Sequence, residues 1–347
     1  MTTSSPPQAA ASGAPEPGQL CRVYRAVADG DGTRAEFADV PVGELGGGEV
    51  LIRAHTSSVN YKDALAGTGT GKIVKRLPIV LGIDVAGVVV DSADPRHAVG
   101  DRVLVTGFGL SEDHDGGYAE YVRVPADWAV PVPEALDFVD VMALGTAGLT
   151  SALAIARLEH NGLRPGQGPV AVTGASGGTG TLAVSMLATL GYEVTAFTGK
   201  ESAHDLLRRL GATEVLDRPD ISARRPLESA RWAGAVDCVG GPVLAWLTRT
   251  TSRGGSIATF GNTAGVELDT TVLPFILRGI NLLGVNTGYF EPELRLRLWE
   301  RLGSDVRPAG LAELTRVVPF KALPDEFGAF LDSQVTGRIV VDLCAAE

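Results

Sequence analysis

Ala171-Val172-Thr173-Gly174-Ala175-Ser176-Gly177-Gly178-Thr179-Gly180 decides how this chain is read. Residues 170–173 are apolar and strand-like, the glycines fall in a GxxGxxG pattern, and residues 178–190 continue as an amphipathic helix. Such glycines permit a tight turn, let backbone N–H groups approach a pyrophosphate, and allow helix and strand to pack closely. The anion then sits at a helix N-terminus, where unpaired N–H groups and the helix dipole favour negative charge. A glycine-rich turn alone is weak in a chain with 44 glycines; here a strand precedes it, a helix follows, and a second strand arrives at 193–197.

Working outward, the alternation persists. A helix over 202–210, a strand at 215–216, a strand over 235–239, a helix over 243–250 and a strand over 256–260 make the pattern of a doubly wound parallel sheet. Upstream, residues 137–158 carry apolar residues at helical spacing, with Asp137 as a plausible N-cap. Before that, from 20 to about 133, short strands at 50–54, 85–90, 102–106 and 118–124 are broken by Gly, Pro and Asp, with a short helix near Asp63. After a strand at 280–285 come helices over 292–302 and 324–332 and a strand over 338–343, which should return to the first domain. The expected division is a tail at 1–19, a β-rich domain at 20–136, a nucleotide domain at 137–285 and a returning segment at 286–347.

The bulk numbers narrow the class. At 347 residues the chain is long for one core and suits two domains; 45% hydrophobic and 20% charged residues describe a globular protein. A net charge of −11 argues against nonspecific nucleic-acid binding. Cys21, Cys238 and Cys344 are too scattered for a disulfide framework, so reduced thiols and a cytoplasmic location are expected. The first 19 residues, rich in Pro, Ala and Ser, lack the features of a signal peptide and read as a disordered tail. No uninterrupted apolar run reaches the roughly 18 residues of a membrane span.

The second nucleotide-domain strand discriminates between cofactors. An NAD site usually places an acid there to bond the ribose 2′-hydroxyl. This chain has Phe197-Thr198-Gly199-Lys200 instead. Thr198 can donate to a 2′-phosphate and Lys200 supplies positive charge, with Arg208 on the next helix as a second cation, so NADPH is expected. Lys200 as a merely solvated residue is the alternative. His55, His97, His114, His160 and His204 are dispersed, and no Cys/His zinc set can be assembled; Glu112-Asp113-His114-Asp115 reads as an acidic surface loop.

These segments resemble one family over residues 20–343. Ser57-Ser58-Val59-Asn60-Tyr61-Lys62-Asp63-Ala64-Leu65 and Pro78-Ile79-Val80-Leu81-Gly82-Ile83-Asp84-Val85-Ala86-Gly87 are similar to the GroES-like domain of zinc-free medium-chain dehydrogenases/reductases. The NYKD stretch, with Gly145-Thr146-Ala147-Gly148, Arg225-Pro226-Leu227-Glu228, Trp232-Ala233-Gly234-Ala235-Val236-Asp237 and Pro274-Phe275-Ile276-Leu277-Arg278-Gly279, resembles the branch of acrylyl-CoA reductases and related quinone oxidoreductases. The resemblance implies an α/β protein in which a GroES-like β domain and a Rossmann domain hold the cofactor between them, usually in a homodimer. It implies NADPH contacts at Tyr61, Ser176, Gly177, Gly178, Thr179, Thr198, Gly199, Lys200, Arg208, Asn262, Asn286 and Arg338. The chain departs from the branch at Phe260-Gly261-Asn262-Thr263-Ala264-Gly265 and at Gly284-Val285-Asn286-Thr287-Gly288-Tyr289-Phe290, where relatives commonly read CGLAGG and GIDS or GVDS.

The implied reaction reduces a carbon–carbon double bond conjugated to a carbonyl, with a short enoyl thioester such as acrylyl-CoA as acceptor. Tyr61 is the candidate to hydrogen-bond the carbonyl oxygen or supply a proton; stacking on the nicotinamide is its alternative role. For Asp63 and Asp84 a structural bonding role is expected. Lys62, Lys72, Lys75 and Arg76 form a basic cluster that could meet coenzyme A phosphates, or be a solvated loop. Two rival functions remain: reduction of quinones or enals without coenzyme A, and noncatalytic NADPH sensing.

Overall fold

The protein is described from a computed structural model covering residues 13–222 and 225–344. The expected tail therefore lies partly outside the described residues, at 1–12. Its remainder is not free: Gln19 N–H donates to Glu16 O, and the backbone N–H groups of Val42 and Gly43 bond Gln19 O and Pro17 O, stitching residues 16–19 to the body.

The amino-terminal part is built from β1 (Leu20–Asp29), β2 (Gly32–Pro41), β3 (Val50–Val59), β4 (Ile79–Val80), β5 (Asp84–Ser92), β6 (Arg102–Thr106), β7 (Tyr121–Val124) and β8 (Val130–Pro131). β1 and β2 are two ten-residue strands paired as a hairpin, in register from Leu20–Pro41 to Asp29–Gly32. The larger sheet runs through β3, β5, β6 and β8, and β7 also pairs with β3. Helix α1 (Tyr61–Gly67) leaves β3 through a capping box, in which Asn60 and Asp63 each satisfy the other's backbone N–H.

Helix α2 (Phe138–His160) leads into the second domain, N-capped by Asp137, whose carboxylate accepts Asp140 N–H at 2.7 Å. It is long and apolar enough to cross a bilayer, but 78% of its most apolar stretch is buried inside the protein, as befits a core helix. The sequence reads α2 as continuous; the structure breaks it at Gly145 (φ 49°, ψ −150°). A Cβ there would lie 2.7 Å from Asp84 Oδ2, so only glycine lets the helix approach β5.

The nucleotide domain follows as β9 (Val170–Val172), α3 (Gly178–Thr189), β10 (Val194–Phe197), α4 (His204–Arg209), β11 (Glu214–Leu216), β12 (Trp232–Asp237), α5 (Gly241–Thr250), β13 (Thr251–Thr259), α6 (Leu273–Arg278) and β14 (Asn281–Gly284). The six strands pair in the parallel order β11-β10-β9-β12-β13-β14. This is the doubly wound order 3-2-1-4-5-6, whose chain reversal falls between β9 and β12, where ligands bind beyond the carboxyl ends of the strands.

Helix α7 (Pro292–Leu302) packs Leu298, Trp299 and Leu302 into the core it shares with α2. At about 2 kcal/mol for each buried side chain, that face holds α7 to the nucleotide domain. Only after α8 (Leu311–Leu314) does the chain return, as β15 (Thr315–Pro319), α9 (Leu323–Leu331) and β16 (Arg338–Asp342). β16 runs antiparallel to β3, with Ile339 opposite Val59, which carries the buried Arg338 beside Asn60.

Candidate active site at the domain junction

The glycine loop has the shape its sequence requires. Ala175 N–H bonds Phe197 O, tying the loop to the end of β10. A Cβ on Gly180 would lie 2.4 Å from Gly174 O, so the third glycine is needed for the helix to pass over the turn. Gly177 caps α3 and Gly178 begins it, leaving the first-turn N–H groups without intrahelical partners. Ser176 is buried, and its hydroxyl accepts the Thr198 hydroxyl at 2.8 Å. Thr179 O accepts the hydroxyl of Ser151, from α2, at 3.0 Å.

Arg338 meets this helix start from the other domain. A Cβ on Gly178 would stand 3.0 Å from Arg338 Nη1, while Nη2 donates to Asn60 Oδ1 at 3.2 Å and Nε to Ala143 O at 2.8 Å. Burial pushes its pKa down, opposed by Asp84 and Asp63 nearby. A free helix N-terminus with a guanidinium beside it is a fitting cradle for a pyrophosphate.

Behind Arg338 lies a buried polar network. Asp84, fully buried, accepts from Ser58 Oγ (2.6 Å), Asn60 Nδ2 (2.9 Å), Thr146 N (2.9 Å) and Thr146 Oγ1 (2.5 Å). Asp63 accepts the N–H groups of Asn60 and Ile83, both at 2.9 Å, yet burial and then the charge of Asp84 push its pKa up to about 7. Both carboxylates thus have the structural bonding expected of them. They hold Asn60, and Asn60 holds the start of α1, where Tyr61 is 41% exposed and its hydroxyl bonds no described residue.

The 2′-phosphate corner differs from the sequence reading. Thr198 is buried, and its hydroxyl, which donates to Ser176 Oγ, also accepts Lys200 N–H at 3.1 Å. The Lys200 ammonium, however, donates to Val335 O (2.7 Å) and Thr336 Oγ1 (3.3 Å), and its pKa is lowered by burial. Arg208 is ion-paired with Asp205 one turn back at 2.9 Å. The cation lying on Gly199 is Arg218: a Cβ on Gly199 would be 2.4 Å from its Nε. Arg218 was missed because it follows β11; the signal was present, since strand order 3-2-1 sets the residue after the third strand beside the end of the second.

Asn262 and Asn286 lie beyond the carboxyl ends of β13 and β14, both exposed. The Asn262 Cα is 3.3 Å from a Cβ position on Gly240, and Asn286 Oδ1 accepts Gly288 N–H at 3.0 Å. The basic cluster is largely neutralised by the acidic loop facing it. Lys62 and Lys75 pair with Glu112, Lys75 also with Asp113 (3.2 Å), and Arg76 with Asp115 (2.9 Å). Of the four, Lys72 alone has no ion-pair partner among the described residues. His114 is likewise engaged, bonding Asp115 O and Gly47 O, and among the described residues no His/Cys/Asp/Glu group could hold a metal ion.

Comparison with known proteins agrees with this architecture. Residues 46–134 match the alcohol dehydrogenase GroES-like domain and 178–302 the zinc-binding dehydrogenase family. The acrylyl-CoA reductase AcuI of Ruegeria pomeroyi is 45% identical over 315 residues, 90% of this chain and 96% of that protein. The YhdH oxidoreductase of Salmonella enterica, solved with NADP, superposes with a TM-score of 0.90 at 42% identity, covering 93% of this chain and 99% of that one. YhfP of Bacillus subtilis, solved with NAD, gives a TM-score of 0.91 at 44% identity, covering 94% and 100%. With a GroES-like domain, a Rossmann domain and relatives of this identity over nearly its whole length, the chain belongs to the zinc-free medium-chain dehydrogenases/reductases, in the branch of acrylyl-CoA reductases and related quinone oxidoreductases.

Proposed function

We propose that this protein is an NADPH-dependent reductase of carbon–carbon double bonds conjugated to a carbonyl, acting on short enoyl-CoA thioesters such as acrylyl-CoA. One observation carries the reading: Arg338 touches both the α3 start at Gly178 and Asn60, the residue before Tyr61, so cofactor cradle and candidate acid share one rigid junction.

NADPH, when bound, supplies the hydride. The α3 N–H groups and Arg338 hold its pyrophosphate; Ser176, Gly177, Gly178 and Thr179 shape the turn. Thr198, Gly199 and Arg218 receive the 2′-phosphate, with Lys200 positioning the 335–336 backbone over that corner rather than serving as the phosphate's main cation. Arg208, exposed on α4 and paired at the surface with Asp205, stands as the second cation of that corner. Asn262 and Asn286 border the nicotinamide end. As negative charge builds on the acceptor's carbonyl oxygen, the Tyr61 phenol, without a partner among described residues, donates to it.

Two finer readings belong with this one. A homodimer forms along β14, which among the described residues pairs with β13 alone, and through the exposed Val272, Ile276 and Leu277 of the preceding α6 region. Three free cysteines suit a reducing cytoplasm.

The test is loss of NADPH absorbance on mixing with acrylyl-CoA, crotonyl-CoA, a quinone and an enal. Turnover concentrated on the thioesters is expected. Equal turnover of quinone would remove coenzyme A from the reading, and tight NADPH binding without turnover of any acceptor would favour a sensor. Sedimentation of Ile276→Asp/Leu277→Asp as monomer, against a wild-type dimer, tests the interface.

A further inference from the structure

We infer that Arg295 is a positioning residue that sets the width of the acceptor mouth by clamping the 106–109 turn against the 286–290 segment, so selecting for short acyl chains; this rests on the function proposed above.

Arg295 belongs to α7, an amphipathic helix whose other arginines, Arg297 and Arg301, are exposed or half-buried, yet it is 1% exposed. Nη1 donates to Thr106 O (2.9 Å) and Thr106 Oγ1 (3.1 Å), at the end of β6 in the GroES-like domain. Nη2 donates to Thr287 O (2.9 Å). The guanidinium lies 4.1 Å from the Phe108 ring centroid and 4.5 Å from that of Phe290. Trp128 stacks on Phe108, with ring centroids 5.4 Å apart and planes at 6°. Phe290, Arg295, Phe108 and Trp128 thus form one continuous set of ring and guanidinium contacts between residues 290–295 and residues 108–128.

A buried cation is expensive, and no carboxylate pairs with this one among the described residues; its Nε also lacks a partner there. Burial pushes its pKa down to about 10, so it stays protonated at neutral pH. Its three hydrogen bonds, the two aromatic faces and the charge of Asp84 nearby offset part of that cost, and the turn it binds is itself strained. Phe108 adopts φ 55°, a strained value for a residue with a Cβ, between Gly107 and Gly109, which share the left-handed region. The turn folds towards the segment that departs from the branch: Cβ positions on Gly107 and Gly109 would lie 3.4 Å from Gly288 Cα and 3.7 Å from the Tyr289 hydroxyl. The same turn borders the Tyr61 support, because Gly107 N–H bonds Ile83 O and Ile83 N–H bonds Asp63. Arg295 therefore acts on the acceptor through both walls without touching it.

Arg295→Met keeps the volume and removes the charge-dependent clamp; Arg295→Lys keeps the charge but cannot bond Thr106 and Thr287 together. The ratio of kcat/KM for a three-carbon over an eight-carbon enoyl-CoA should fall at least tenfold in Met and by less in Lys, with NADPH affinity unchanged. Hydrogen exchange should quicken in 106–110 and 286–290 and stay constant in 170–180. An unchanged ratio with unchanged exchange overturns the inference, as does an equal loss on both acceptors. Should Met fail to fold, Lys carries the same test. If the wild type reduces no enoyl-CoA, the proposed function fails, while the exchange measurement still decides whether Arg295 clamps the two walls.

Discussion

Thr146 gives both its backbone N–H and its hydroxyl to Asp84, at 2.9 and 2.5 Å, so a side chain of the GroES-like domain caps the second half of the helix that enters the nucleotide domain. The break at Gly145 creates the N-terminus, and Asp84 satisfies it across the junction. The carboxylate serves folding and alignment at once, because Asn60 and Arg338 hang on the same network.

Asp84→Ala leaves the Ser58 hydroxyl, an Asn60 amide hydrogen and Thr146 N–H buried without this acceptor. At about 1–3 kcal/mol per unsatisfied group, a loss of roughly 3 kcal/mol or more is expected, read as a lower urea midpoint and Tm. Gly145→Ala should cost a comparable amount through its positive φ and the clash with Asp84. If either variant unfolds like wild type, the network is not what aligns the domains.

Asp63 gives the pH dependence its sign. Its pKa is about 7 folded, against about 3.9 unfolded, so between those values the folded chain holds more protons. Its contribution to stability is greatest below about pH 4 and is lost as pH rises to about 7, with a slope of at most about 1.4 kcal/mol per pH unit. Urea unfolding of wild type relative to Asp63→Asn across that range should show wild type losing ground. A rising difference would mean that the N–H groups of Asn60 and Ile83, with the Asn60 side-chain amide at 3.1 Å, keep the carboxylate ionised.

What the sequence made legible was local. The glycine loop, the strand–helix alternation and the Asp137 cap each depend on residues within a few positions, and each stands in the structure. What escaped depends on partners far along the chain. Gly145 sits within a helical pattern, and only Asp84, 61 residues away, reveals why it must be glycine. Arg295 looks like an ordinary solvated charge on an amphipathic helix until Thr106 and Phe108 arrive from the other domain. Lys200 was read by its charge, and its ammonium is occupied by the 335–336 backbone. The acids that neutralise the basic cluster, Glu112, Asp113 and Asp115, lie some 40 residues beyond it, too far along the chain for the sequence alone to choose between a phosphate site and a solvated loop.

Arg218→Glu places a negative charge on Gly199, where the 2′-phosphate is proposed to bind. NADPH affinity should drop on the order of tenfold to a hundredfold while NADH affinity changes little, measured by fluorescence titration. Lys200→Met should weaken NADPH less, since its charge is directed to Val335 O. Because YhfP was solved with NAD, the ratio of the two affinities is the informative quantity. Equal losses for both cofactors would return Arg218 to a structural role.

Tyr61→Phe removes one hydroxyl and leaves the ring, the capping box and the Asn60 network in place. If the phenol donates to the developing enolate, kcat should fall by about 10²-fold or more, because a positioned general acid contributes on that scale. NADPH affinity and Tm should stay within error, since the hydroxyl bonds no described residue. The same substitution separates the two roles of this residue. Stacking on the nicotinamide survives in Phe, so a stacking Tyr61 predicts near-normal kcat, and Tyr61→Ala would then raise the NADPH dissociation constant instead. A kcat loss confined to Phe and Ala alike, with NADPH affinity intact in Phe, assigns the chemistry to the hydroxyl.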